Sequence, residues 1–371
     1  MDLVGIDHPL SQETYGLLAD KFQLDRSQIA IGTSHTHTGP VVGQNLSALH
    51  YRLVSPQQQA LIDQNAKKFP VEVVNVVEQA IDRLAPSQLT CGSGAATFAV
   101  NRRNNREQDV ATSCGRPTRR SIRPRCARVG GARCVGTVVT AVVFEYACHS
   151  TVLSFYQRSG DYPGFAQLEL KSLHPGCLAL FFADCGADQN PLPRRSVELA
   201  QHYGRRLCDA VDGVLLTSNM KPVATSLTTN YRKIDLPLDS PPDRAQIERD
   251  AQSDNKYVVT RAKMLLEQLG QGVSLSQSYP YPIGTWTLGG DVQFITLGGE
   301  VVVDYALRLK SGLSGTKTWV AAYANDVIAY IPSRRVLHEG GCEGGDAMLY
   351  YGLPAIWAPA VENAIVDEVH Q

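Results

Sequence analysis

Residues 138–147 (VVTAVVFEYA) constrain the fold more than any other stretch of the chain. The run is almost continuously apolar and rich in β-branched side chains, which reads as a strand buried on both faces. Residues 177–183 (CLALFFA) form a second run of the same kind. Each is followed by a helical pattern. The turn Gly160-Asp161-Tyr162-Pro163-Gly164 opens one helix through about Leu173, and residues 197–215 have the periodicity of an amphipathic helix. Strands alternating with helices predict an α/β fold, with a mixed β-sheet core and flanking helices in one domain over residues 1–371.

The rest of the chain extends that reading. Residues 2–7 and 29–31 are expected to be short strands, with a helix near residues 12–22 between them. Ser55 and Pro56 have the N-cap and first-position chemistry of a long helix to Leu84, which Pro70 should kink or divide. Residues 89–100 and 225–236 read as strands, and residues 242–269 as a charged helix. Residues 286–288 and 292–297 should pair around Gly289-Gly290-Asp291. Gly298-Gly299-Glu300 should start a helix through Leu309, and residues 319–323 form one more strand.

Composition excludes some classes. Of 371 residues 43% are hydrophobic and 19% charged, as in a globular protein, and the net charge of −1 argues against nucleic acid as main partner. No apolar run approaches the roughly 18 residues that span a bilayer, and residues 1–20 lack a basic-then-apolar export pattern. Nine cysteines occur without a CxxC pair, which fits buried thiols better than a disulfide framework.

Chemistry-bearing residues stand at or just beyond the ends of apolar runs, where α/β proteins gather their active groups. These are His35 and His37 of Thr33-Ser34-His35-Thr36-His37-Thr38-Gly39-Pro40, then His149, Asp188, Glu300 and Tyr330. If residues 29–31 are a strand whose alternation continues, His35 and His37 share a face. Histidines with a carboxylate make a zinc ligand set with room for water, whereas an HxH pair alone reads equally well as two surface histidines.

The sequence here resembles the neutral/alkaline (non-lysosomal) ceramidases, in their N-terminal catalytic domain. The HTH segment matches the family's THTHSGP. Tyr146-Ala147-Cys148-His149-Ser150-Thr151-Val152-Leu153 matches its NYACHPTVL, and Gly160-Asp161-Tyr162-Pro163-Gly164 its ADFPG. Gly298-Gly299-Glu300 matches PGE, and residues 325–332 match an asparagine-to-tyrosine segment near the domain's end. The matches are collinear from about residue 2 to 360. The resemblance implies one zinc ion held by His35, His149, Glu300 and Tyr330, with His37 beside the water and serving as proton shuttle. It also implies that Arg102 binds the amide side of the substrate, and Asp161 or Asp188 is expected to orient a ligand histidine.

The departures are specific. Asn190, in Ala187-Asp188-Gln189-Asn190-Pro191, stands where ceramidases proper carry a serine at the zinc, as in the broader bacterial relatives. The family's first strand segment and its C-terminal immunoglobulin-like domain have no counterpart in the sequence. Residues 111–137 mix arginine, cysteine and glycine with little apolar periodicity, and a surface position with poor order is expected there. Ser121-Ile122-Arg123-Pro124 reads as a family VDP-like turn one nucleotide out of frame, so two compensating frameshifts are the preferred account, against a natural basic loop.

The function these residues predict is a zinc-dependent amidohydrolase acting on a small-molecule or lipid amide. A zinc-dependent esterase or hydrolase of another lipid or small metabolite is the alternative, and an inactive product of a damaged gene the non-enzyme reading.

Overall fold

The computed structural model describes all residues except 106, 110–124, 135–138, 218–219 and 314–316, and only the backbone of 109 and 125–134. Its strands are β1 (Ser87–Ala96), β2 (Ala99–Asn101), β3 (Arg125–Cys134), β4 (Val139–Tyr146), β5 (Leu178–Ala183), β6 (Gln189–Pro191) and β7 (Lys221–Pro222) in the first half. The second half holds β8 (Leu227–Pro237), β9 (Ser278–Leu288), β10 (Val292–Leu297), β11 (Glu300–Val301), β12 (Lys317–Ala321) and β13 (Tyr330–Ile331). Ten α-helices among the described residues complete it: α1 (His8–Phe22), α2 (Pro56–Ile81), α3 (Asp161–Leu173), α4 (Val197–Leu216), α5 (Arg244–Asp250), α6 (Lys256–Gly270), α7 (Val303–Gly312), α8 (Arg334–Glu339), α9 (Met348–Tyr351) and α10 (Val361–Val369).

Two sheets carry the core. One has the order β5-β4-β3-β1-β7, the other β12-β10-β9-β8. Only β4 with β5 and β10 with β12 are parallel; the other ladders of both sheets are antiparallel. The apolar run of β4 is explained by cover on both faces. Val142, Phe144 and Tyr146 share a core cluster with residues of α3 and α4, whereas Val143 packs with Cys91, Val292, Phe294 and Trp319 of the two sheets. Phe182 of β5 meets Phe294 of β10 edge-on at 5.3 Å between ring centroids. Helices α3 and α4 lie against the first sheet, and α7 and α10 against the second, which makes four layers.

At one end the sheets meet. The Ala322 N–H donates to the Ala183 carbonyl at 2.9 Å, and Asp184 bridges Ala321, so the C-terminal ends of β5 and β12 lie together. Lys310 of α7 reaches both Glu145 (3.2 Å) and Asp184 (2.8 Å) there.

Several expectations need correction. Residues 2–7 and 29–31 form no strand; Gly32 makes a single bridge to Ala324, because the backbone partners of these segments are scattered single bonds, such as Asn325 N–H to Ile31 and Val327 N–H to Ile6, and no continuous neighbouring strand. Helix α2 has the expected Ser55 cap but runs through Pro70 undivided and ends at Ile81, short of Leu84. The charged helix is two helices, α5 and α6, the second restarted by the Asn255 cap. Glu300 begins a two-residue strand, and the helix starts at Val303.

The arginine-rich block also departs from expectation. Residues 125–134 are β3, in the middle of the first sheet, pairing β1 on one side and β4 on the other. Ladder hydrogen bonds come from the backbone, which an Arg/Gly/Ala sequence supplies as well as an apolar one. Residues 111–124 and 135–137 of the block lie outside the described residues, and with them the frameshift reading of Ser121-Ile122-Arg123-Pro124.

The start of α3 yields a pH test. Asp161 has a positive φ of 54° and its two carboxylate oxygens accept the N–H groups of Leu153 (2.8 Å) and Tyr162 (2.7 Å). Burial nevertheless raises its pKa from 3.8 to about 6. The native state therefore holds the proton more tightly than the unfolded chain. Its stability contribution is greatest below about pH 4 and falls by ~3 kcal/mol as pH rises through 6. Asp161→Asn does not titrate, so its destabilisation relative to the parent should shrink by about that amount between pH 4 and pH 7. Urea denaturation at both pH values checks this, and a pH-independent difference would refute it.

Candidate metal centre

The residues that the sequence places at strand ends come together beyond the C-terminal ends of β4, β5, β10 and β12. His149 follows β4 and is positioned twice by the segment after β5, once by its loop and once by the first residue of β6. Its backbone N–H donates to the Gln189 carbonyl (2.9 Å), and its Nδ1 donates to the Gly186 carbonyl (2.9 Å). Gly186 must be glycine for this approach, because a Cβ there would lie 2.6 Å from the Cys148 nitrogen.

His35 is turned inward by a left-handed backbone, φ 57°, rather than by strand alternation. Its Nδ1 donates to the Val4 carbonyl at 2.6 Å, and its ring stacks on Tyr323 with 4.3 Å between centroids. His37 is exposed at the rim, with its Nε2 3.3 Å from the His35 Nε2. The ligand nitrogens of His35, His37 and His149 lie within 4.8 Å of one another.

Glu300 and Tyr330 are partners in the parallel β11–β13 ladder, so both side chains enter from one short pairing. Gly299, φ 73°, feeds this ladder; a Cβ there would meet Ile331 at 2.7 Å and the Ala329 carbonyl at 2.8 Å. Glu300 Oε2 lies 3.1 Å from His35 Nε2 and 3.3 Å from His149 Nε2. Burial by itself would raise the pKa of Glu300, but His35 and His149 in their protonated, donating form hold it well below the usual carboxylate range. Burial, with Arg102 nearby, takes His149 down to about 4. Burial pushes the Tyr330 phenol well above its ordinary value, against the pull of Arg102.

These distances carry a chemical contradiction. His35 and His149 each donate the Nδ1 proton to a carbonyl, so in the neutral tautomer each Nε2 presents a lone pair. Both lone pairs face Glu300 Oε2, which is buried and receives no hydrogen bond. Acceptors crowded together out of water call for a proton or a cation between them. Two imidazole nitrogens and a carboxylate oxygen suit a divalent transition metal, so the donor set fits an ion.

Arg102, after β2, stands beside this cluster. Its Nη1 is 3.5 Å from His149 Nε2, its Nη2 donates to the Tyr330 hydroxyl (3.1 Å), and its Nε donates to Glu343 (2.5 Å). Asn190, on β6, is buried with its Oδ1 unpartnered.

The expected role of the two aspartates is corrected. Asp188 accepts from the Asn101 side chain (2.8 Å) and the Val303 N–H (3.0 Å), tying β2 to α7, and Asp161 caps backbone at α3. Neither orients a histidine, since backbone carbonyls already occupy both Nδ1 atoms. Sequence reasoning missed Tyr323, Glu343 and Tyr351. Glu343 binds Arg102 and Arg103 together, and Tyr351 donates a short hydrogen bond to Glu300 Oε1. None of the three lies in a segment with a readable motif.

No family model and no curated protein matches the sequence. Among solved structures, the crystal structure of neutral ceramidase from Pseudomonas aeruginosa is similar, with TM-score 0.71 and 17% identity, over 99% of this chain and 64% of that chain. A ceramidase structure complexed with C2 is similar with TM-score 0.73 and 15% identity, over 99% of this chain and 65% of that one. The chain thus spans less than two thirds of the length of those proteins. Its α/β architecture is a neutral-ceramidase-like fold.

Proposed function

We propose that the chain is a zinc-dependent hydrolase of an amide bond, with His35, His149, Glu300 and Tyr330 holding the ion. The observation that carries this reading is Glu300 Oε2, buried without a donor and facing two imidazole lone pairs. When bound, zinc supplies Lewis-acid chemistry, polarising a carbonyl and making a nearby water a usable nucleophile at neutral pH.

The chain's own residues do the rest. His37, at the solvent rim and 3.3 Å from His35, is placed to accept a proton and pass it outward. Arg102, fixed by Glu343, offers its guanidinium to an oxygen of the substrate amide. Asn190 can donate its amide hydrogens to the oxygen on which negative charge builds. Its carboxamide has no ionisable proton and is a poor nucleophile, so a lipid amide or ester other than ceramide is the second reading.

Elemental analysis of purified protein should find about one zinc per chain, as a mononuclear site of this donor set holds. His35→Ala or His149→Ala should abolish it, and full zinc retention by either variant would refute the ligand assignment.

Asn190 generates a kinetic test. Asn190→Ala should lower kcat about a hundredfold on the best substrate of an amide and ester panel while zinc content is kept, the loss typical of an oxyanion donor. An unchanged kcat would remove Asn190 from the machinery, and fast ceramide cleavage by the unmutated chain would remove the second reading.

A further inference from the structure

We propose that Tyr351 is a positioning residue of the metal centre, fixing the Glu300 carboxylate so that a single oxygen, Oε2, is presented to the ion. The proposal rests on the metal-centre reading above. The terminal torsion of a glutamate is broad and roughly two-fold, so the β11–β13 ladder places the Glu300 Cβ without setting the plane of the carboxylate. That plane is set by the Tyr351 hydroxyl, which donates to Oε1. The other oxygen is left facing His35 and His149 with no donor of its own.

Packing alone does not call for the hydroxyl. The half-buried ring packs against the main core and also borders a cavity of about 620 Å³ with Met264, Tyr279, Ile328 and Leu353, contacts that a phenylalanine would make as well. Helix α9 delivers it, and Gly352, with φ 79° at the cap, turns the chain away immediately afterwards. Tyr323 offers a contrast at the same centre. It stacks on His35, but its buried hydroxyl has no hydrogen-bond partner.

Removing the Tyr351 hydroxyl leaves Oε1 desolvated without a donor, and the carboxylate is then free to turn and offer both oxygens. In full-length protein, Tyr351→Phe should weaken zinc binding about 10- to 100-fold, measured by competition with a chromophoric chelator. The cobalt-substituted variant should show an altered visible absorption spectrum, reporting a changed coordination. Tyr279→Phe, at the wall of the same cavity with its hydroxyl on Asp326, should leave zinc affinity and the cobalt spectrum unchanged. Circular dichroism of the metal-free variants should match the parent, which separates positioning from folding. If Tyr351→Phe keeps the parent's affinity and spectrum, or if Tyr279→Phe loses as much, the positioning role is overturned while the metal reading stands. A parent chain that takes up no metal overturns both.

Discussion

The imidazoles of His35 and His149 each commit their Nδ1 proton to a backbone carbonyl, and the chemistry of the centre follows from that. A neutral ring fixed in this way cannot also donate from Nε2. The buried carboxylate of Glu300 then faces lone pairs instead of donors until a proton or a cation joins them. The surrounding geometry serves this confrontation. Gly186 permits its carbonyl to reach His149, the left-handed backbone at His35 turns that ring inward, and the Glu300–Tyr330 pairing brings two further groups to the same place.

The sheets explain why these groups can meet at all. Parallel pairs β4–β5 and β10–β12 point the same kind of strand end toward one region, and the Ala322–Ala183 hydrogen bond joins the two sheets there. Loops that leave such ends need their own anchors. Asp188 supplies one by bonding Asn101 and the Val303 N–H, which locks three connections together with a single carboxylate. Glu343 supplies another, holding two neighbouring arginines so that Arg102 keeps its guanidinium beside Tyr330.

What was legible in the sequence had a local cause. The runs that became β4 and β5 announced themselves because both faces are covered, so no polar residue interrupts them. That His35, His149, Glu300 and Tyr330 lie close together was legible because glycine, proline and apolar strands frame them, and because those frames resemble a known family. Less legible features depend on distant partners. The β3 strand has no apolar pattern, yet it has two neighbours in the sheet, a property of topology that no window of residues records. Residues 29–31 looked like a strand from composition but found only a single bridge nearby. The aspartates were assigned to histidines whose partners are in fact main-chain carbonyls, and carbonyls leave no trace in side-chain identity. Tyr351 sits far along the chain from Glu300, with nothing around it to mark its role.

The residues of this centre are drawn from positions 35, 149, 300, 330 and 351, with Val4 and Gly186 behind them. In polymer terms, any ion held there is a cross-link closing several long loops at once. Closing loops of such length in the unfolded chain is entropically costly, and the cost rises only slowly with further length. Occupancy would therefore act on the whole chain, because an ion that favours the assembled site disfavours every state in which one of those segments has come away. A nick in any of the connecting loops would open one of those loops while leaving its ligands in place. The centre would then become the joint that holds the severed pieces together.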